Sequence, residues 1–185
     1  MLALAIQYEK QVQERYLRTL ADPRYRYYMH GILHYSISIE RSDAYKLQYV
    51  SLGKQGDVLG LFECSLNRET MTAYEITAIR FTPGYDPEFA ADMYRFVVNV
   101  IFQEYDMQRV IYNVIKGNKA EKLYDRIIER YGGRIVGTFT NEVRLFDGKL
   151  YDVKYYEMLK GRCLPLLLEV TAENYRENLG GEINE

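Results

Sequence analysis

The change of hydrophobic period along the middle of the chain is what most limits the folds open to it. Three β-rich runs, Tyr45 to Leu52, Val58 to Leu66 and Ala73 to Phe81, follow one another with only Gly53-Lys-Gln-Gly56-Asp57 and Asn67-Arg-Glu-Thr70 between them. Runs this close, joined by turn-forming residues, read as an antiparallel meander. The period then turns helical. Asp86-Pro87-Glu88 supplies an N-cap, a first-turn proline and an acidic first turn. Phe89, Met93, Phe96, Val97, Val100 and Ile101 follow as the apolar stripe of a helix ending near Glu104. Arg109 to Ile115 is a continuous apolar run. After a helix, such a run reads as a strand buried on both faces and reached by a crossover.

A second helix is predicted from Asn118-Lys-Ala-Glu121, a capping-box-like start, with Ala120, Leu123, Tyr124, Ile127, Ile128 and Tyr131 at helical spacing and Gly132-Gly133 as its stop. Arg134 to Thr140, Glu142 to Phe146, an Asp147-Gly148 turn and Tyr151 to Met158 complete the strands as a final pair. At the other end, Ala5, Tyr8, Val12, Tyr16 and Leu20 mark an amphipathic helix from Leu2 to about Leu20. Asp22-Pro23 stops that helix and starts another through Tyr25 to Leu33. His30 and His34 fall four apart, but no carboxylate or thiol is spaced to complete a metal site, so packing or surface roles are expected. The apolar run Cys163 to Val170 either packs on the sheet edge or joins a homodimer contact, and a short helix is expected from Thr171.

Size and charge narrow the function. The 185 residues suit one domain, and 48% hydrophobic with 27% charged residues is an ordinary globular balance. A net charge of -2 provides no field for nucleic acid or anionic lipid, so neither partner is expected. The cluster Arg24, Tyr25, Arg26, Tyr27, Tyr28 is explained by helix packing. No stretch reaches the roughly 18 apolar residues of a membrane span, and Met1-Leu-Ala-Leu-Ala-Ile6 has neither a basic start nor a cleavage site. A cytoplasmic protein with two reduced, buried cysteines, Cys64 and Cys163, is therefore expected. Dinucleotide and Walker-type glycine loops are absent, and two histidines leave little for a nucleophilic triad. The aromatic content is unusual, with 19 Tyr, 7 Phe and no Trp. Each buried tyrosine needs a partner for its hydroxyl.

The order of elements and the run Val114-x-x-x-Asn118-x-Ala120-x-x-x-Tyr124-Asp125, with its sequel Ile127 to Gly137, resembles the GNAT superfamily of acyl-CoA-dependent N-acetyltransferases. The resemblance covers about Tyr45 to Met158, leaving residues 159–185 as a C-terminal extension, and Gly60 falls where the family often carries glycine. It implies a single α/β domain with a mixed, largely antiparallel sheet flanked by helices. It also implies direct transfer of an acetyl group from acetyl-CoA to a primary amine, on a small molecule or a peptide, without a metal or a covalent enzyme intermediate. Tyr124 would be the general acid that protonates the departing CoA thiolate, as a phenol of pKa about 10 can do within hydrogen-bond reach of sulfur. Glu75 would be the general base for the amine, acting through water. Asn118 and the backbone amides of Phe89, Ala90, Ala91 and Asp92 would hold the cofactor.

One segment departs from the family pattern. Where members carry Arg/Gln-x-x-Gly-x-Gly/Ala before the pyrophosphate, this chain reads Asp86-Pro87-Glu88-Phe89-Ala90-Ala91. Pro87 lacks an N–H, and the Asp86 and Glu88 charges repel phosphate unless Arg80, Arg95 or Lys119 offsets them. Two readings follow: a divergent acetyltransferase, or a GNAT-like binding or regulatory module that has lost acetyl-CoA.

Overall fold

A computed structural model describes residues 1–20, 22–27 and 37–170. Its centre is the expected meander, β2 (Lys46–Leu52), β3 (Val58–Asn67) and β4 (Thr72–Arg80). The next helix, α2 (Pro87–Arg95), continues as a π-helix over Phe96–Glu104. Tyr105 there donates its N–H to the carbonyl of Val100, five residues back, at 2.9 Å. The strand β5 (Arg109–Ile115) follows, then α3 (Ala120–Tyr131), β6 (Arg134–Arg144), β7 (Leu150–Leu159) and α4 (Lys160–Leu168).

With β1 (Leu2–Leu4) at one edge, the seven strands among the described residues order as β1-β2-β3-β4-β5-β7-β6, and the only parallel neighbours among them are β4 and β5. That single parallel pair is what a helical crossover between them requires. The sheet is the mixed, largely antiparallel one expected, with helices on it. Adjacent residues of β3 show why it is covered on both faces. Leu61 packs with Val12 and Tyr16 of α1 (Glu9–Leu20), while Phe62 packs with Phe96, Ile101 and the core beneath α2. Side chains alternate across a strand, so two successive buried residues need two layers.

Four local expectations are corrected. The N-terminal helix does not begin at Leu2, because Leu2–Leu4 form β1, paired antiparallel to β2 with Leu2 opposite Ser51 and Leu4 opposite Tyr49. A 3-10 turn over Ala5–Tyr8 then leads into α1. Three apolar residues beside an open sheet edge satisfy more backbone groups as a strand than as a first helical turn. The second predicted helix starts only as a 3-10 turn, Pro23–Tyr25, capped by Asp22 through Arg24 N–H at 3.0 Å. Most of its remainder, with His30, Leu33 and His34, lies outside the described residues, as does the helix expected from Thr171. Arg134 to Arg144 is one strand with two bulges rather than two strands, since pairing shifts between Ile135 and Gly137 and again from Phe139–Val153 to Val143–Tyr151, where Asn141 takes φ +55. Finally, the run from Cys163 is helical. In α4, Cys163 and Leu167 are buried against the helical layer rather than along a sheet edge, and Tyr94 donates its hydroxyl to the Leu167 carbonyl at 2.9 Å. Pro165 is tolerated within α4 although it removes one helical N–H.

Both cysteines are buried and reduced. Burial pushes the Cys64 thiol up to about 12, with Glu63 adding to the effect. The unfolded thiol ionises near pH 8.5 and the folded one does not, so this group lowers stability as pH rises from there toward 12.

Candidate active site

The site begins where two strands part. Between β4 and β5 the pairing comprises Thr72–Arg109 and Ala73–Val110, so beyond Ala73 the edge of β4 that faces β5 carries no ladder bonds to it. A bulge sits just past this point. On the β3 side, pairing slips between Ser65–Tyr74 and Glu63–Thr77, and Glu75 takes φ +54 within the slip. An extra residue in one strand bends it and increases its twist. Here the bend coincides with the divergence from β5, and Ile76 and Ala78 line the resulting cleft. The cleft holds about 690 Å³ of empty space, including its open mouth. Its walls are Phe62 of β3, Met93 and Phe96 of α2 and its π-helical continuation, Val110 and Tyr112 of β5, and Tyr124 of α3.

Three tyrosines meet at the α3 side. Tyr112 and Tyr156 stack at 5.1 Å, and Tyr124 stands edge-on to both, at 5.1 Å from Tyr112 and 5.9 Å from Tyr156. Such offset and edge contacts fix ring orientation. Beneath them, Asp125 accepts from Lys154 Nζ at 2.6 Å and from the Tyr156 hydroxyl at 2.9 Å. Burial and then the Asp125 carboxylate raise the Tyr156 phenol well above its ordinary value, so it stays a donor. Asp125 thereby ties α3 to β7 one residue beyond Tyr124. The ends of α3 are fixed as well. Asn118 Oδ1 accepts from Ala120 N–H at 3.0 Å, and Gly132 closes the helix with φ +76. At Gly133 a side chain would collide with the Glu157 carbonyl as well as with Ile128, so the chain can pass close under α3 into β6 only as glycine.

The sequence-predicted residues are distributed unevenly around this cleft. Tyr124 lines it. Asn118 supports the start of α3 through its side chain. Glu75 belongs to the bulge, but its carboxylate is exposed and accepts from Ser65 Oγ at 2.7 Å outside the cleft lining. The free amides expected over Phe89–Asp92 are occupied at the helix start. Asp86 Oδ1 accepts from Glu88 N–H at 2.9 Å and Phe89 N–H at 3.1 Å, and the Asp86 carbonyl accepts from Ala90 N–H at 3.0 Å. Ala90 and Ala91 are buried, and the Asp92 carboxylate turns to the sheet, where it meets the Met1 ammonium at 2.7 Å, Ser51 Oγ at 2.8 Å and Arg95 at 2.7 Å. Two of the cations expected to offset the acidic pair are also engaged. Arg95 holds Asp92, and Arg80 Nε donates to the Thr82 carbonyl at 2.6 Å.

Phe89 replaces a family glycine for a visible reason. Its ring stacks on Phe62 at 4.7 Å and lies against Gly60, where any side chain would collide with that ring and with the Ile79 carbonyl. Sequence reasoning missed Tyr112, Tyr156 and Lys154. Tyr112 sits inside the continuous apolar run, and Tyr156 and Lys154 alternate along β7, so nothing in their spacing pointed to a shared site. Asp125 stood in the quoted motif, but its two partners are 29 and 31 residues away in the chain.

No family model and no curated protein matches this sequence. Solved structures do. Spermidine N-acetyltransferase from Vibrio cholerae in complex with CoA and spermine is similar over 89% of this chain and 97% of its own, at 18% identity and a TM-score of 0.65. A chimera of the Vibrio cholerae enzyme SpeG and hSSAT is similar over 82% and 92%, at 20% identity and a TM-score of 0.60. Another such chimera reaches 22% identity over 66% and 74%, with a TM-score of 0.57. Among the described residues no helix is long and apolar enough to cross a membrane. A parallel β4–β5 pair that opens into a tyrosine-walled cleft, matched at this coverage by N-acetyltransferase structures, means that the chain has the fold of the GNAT superfamily.

Proposed function

We propose that the protein is an N-acetyltransferase that moves an acetyl group from acetyl-CoA directly to a primary amine. The observation that carries the reading is the cleft where β4 leaves β5 with Tyr124 in its wall. The unpaired edge of β4 suits a ligand arm with amide groups, which pairs there as an added strand would. The apolar wall suits a thioester and excludes water from it. The amine nitrogen attacks the thioester carbonyl, a C–N bond forms, and the C–S bond breaks. Tyr124 donates its proton to the departing sulfur, and the proton lost by the amine passes through water to Glu75. The cofactor's phosphates lie toward the starts of α2, at Phe89–Asp92, and of α3, at Asn118 and the exposed Lys119. The reaction occurs in the cytoplasm, on a small-molecule or peptide amine.

The electrostatics at α2 give this reading a specific test. Asp86 both caps the helix and places a negative charge where phosphate would sit. Asn caps as well as Asp, so Asp86→Asn should leave the melting temperature within a few degrees while tightening CoA binding about tenfold, roughly 1.4 kcal/mol. Titration calorimetry of the two proteins checks both. Unchanged affinity would place the phosphates elsewhere.

Glu75 is tested by the pH–rate profile. If it accepts the proton, Glu75→Gln removes the acidic limb of the wild-type profile; an identical limb in the variant would exclude it as the base. Release of CoA thiol in the presence of polyamine, peptide and small amine acceptors tests the activity as a whole. Asp86 itself favours one other reading. Because its side chain already takes two of the first amides of α2, the protein can instead be a GNAT-like module that binds no acetyl-CoA, and then no acceptor releases thiol.

A further inference from the structure

The cleft does not end at its tyrosines. Strand β5 rises from its paired end at Arg109 and Val110 toward Ile115, and the crossover helices α2 and α3 run the opposite way, from the cleft mouth down toward that paired end. Tyr112 lies opposite Tyr156 on β7, and two residues lower Val110 lies opposite Met158. Val110 is therefore about 7 Å below the tyrosine layer. On α3, Ile127 follows Tyr124 on the same side of the helix and about 4.5 Å deeper. Val98, in the π-helical continuation of α2, and Leu167 of α4 complete this lower layer.

The two layers differ in exposure and chemistry. Ile76, Ala78, Met93, Tyr112 and Tyr124, nearer the mouth, are half-buried. The five residues of the floor line the same cleft but are only 1% to 7% exposed. None of them has a charged or hydrogen-bonding side chain. Protein interiors normally pack without voids larger than a water molecule, and an empty space among aliphatic side chains stays dry and weakens the fold. A space kept open here, and continuous with the cleft, suits the apolar end of a ligand.

Resting on the transferase reading above, we propose that the donor this site takes carries a short straight alkyl chain longer than acetyl, of the butyryl to hexanoyl class, and that Val98, Val110, Ile127, Met158 and Leu167 hold that chain. With the phosphates toward the starts of α2 and α3 and the sulfur at Tyr124, the acyl end points down both helices, toward Ile127. An acetyl methyl ends near that level and leaves Met158 and Leu167 uncovered. Met158 is unbranched and adjusts to more than one chain length. The chemistry is that of acetyl transfer: the amine nitrogen bonds to the acyl carbonyl carbon, the C–S bond breaks, the departing sulfur takes the Tyr124 proton, and the proton lost by the amine passes to water.

Titration calorimetry of the wild-type protein with CoA and with acetyl-, butyryl-, hexanoyl- and dodecanoyl-CoA tests this. Each buried methylene tightens binding about fourfold, so butyryl-CoA should bind about tenfold more tightly than acetyl-CoA. The gain should stop before dodecanoyl-CoA, whose chain outruns the closed floor. Ile127→Phe narrows the floor and should erase the butyryl gain. Leu167→Ala deepens it, keeps the backbone carbonyl that Tyr94 uses, and should move the tightest binding to a longer chain. Ratios of affinity on one preparation do not depend on its folded fraction, and if neither variant folds the wild-type series decides alone. Equal affinity for acetyl- and butyryl-CoA, a gain that continues through dodecanoyl-CoA, or folded variants with the wild-type chain-length order would overturn the proposal and leave acetyl transfer standing. Absence of binding by CoA and every acyl-CoA would overturn both.

Discussion

Tyr124→Phe is expected to lower the rate of acetyl transfer by about 10²- to 10⁴-fold, the range that a positioned general acid contributes. Acetyl-CoA affinity should be nearly unchanged, because the ring remains in the cleft wall and only the hydroxyl is lost. The edge contacts of the ring with Tyr112 and Tyr156 do not use that hydroxyl, so they survive the substitution. The pattern is diagnostic. A residue acting only in the transition state lowers kcat and kcat/KM together, whereas a residue that merely packs alters melting and leaves turnover alone. Stopped or steady-state detection of CoA thiol, with a melt on the same preparation, separates the two.

Tyr156→Ala should have the largest effect on stability. The side chain is fully buried, it is the largest such side chain in the described chain, and its hydroxyl donates to Asp125. Truncating a buried aromatic ring costs about 3–5 kcal/mol, which for a domain of this size lowers the melting temperature by roughly 6–20 °C. Tyr156→Phe keeps the ring and should cost about 1 kcal/mol. The pair of variants also reports on the cleft. Without the Tyr156 ring, Tyr112 loses its stacking partner and Tyr124 one of its two edge contacts, so the alanine variant should lose turnover beyond what its folded fraction explains. A calorimetric or fluorescence melt, with activity measured well below the midpoint, checks this. Equal melting of Tyr156→Ala and wild type would show that the ring does not carry the core.

What could be read from the sequence was whatever is encoded locally. The meander, the helix begun by Asp86-Pro87-Glu88, the run of β5 and the helix stopped by Gly132-Gly133 all rest on period, caps and turn residues within a few positions, and all appear close to the expected bounds. The errors arise where a distant partner decides. Leu2–Leu4 became a strand because β2 offers an edge some 45 residues on, and the run from Cys163 does not lie along the sheet edge because the helical layer takes Cys163 and Leu167. The site divides in the same way. Tyr124 was visible because it belongs to a spaced motif on one helix. Tyr112, Tyr156, Asp125 and Lys154 act on it through contacts between β5, β7 and α3, which no local pattern marks. Glu75 illustrates the converse: its place in the order was visible, but the left-handed backbone of the bulge and the bond to Ser65 that draws its carboxylate outside the cleft lining were not.

Gly60 and Phe89 show how a departure from a family pattern can be compensated within the chain. Phe89 stands where the family pattern carries glycine, and its ring occupies the space that Gly60 leaves open on β3, against Phe62. The helix start is thus packed and capped as a stable element, whether or not a phosphate group also reaches it. Whether the cleft takes the cofactor is decided by binding. Titration calorimetry of the wild-type protein with acetyl-CoA and with CoA should show one saturable site per chain below millimolar ligand, weakening as salt is raised because phosphates are held by charge. No heat of binding up to millimolar acetyl-CoA would contradict the enzyme reading.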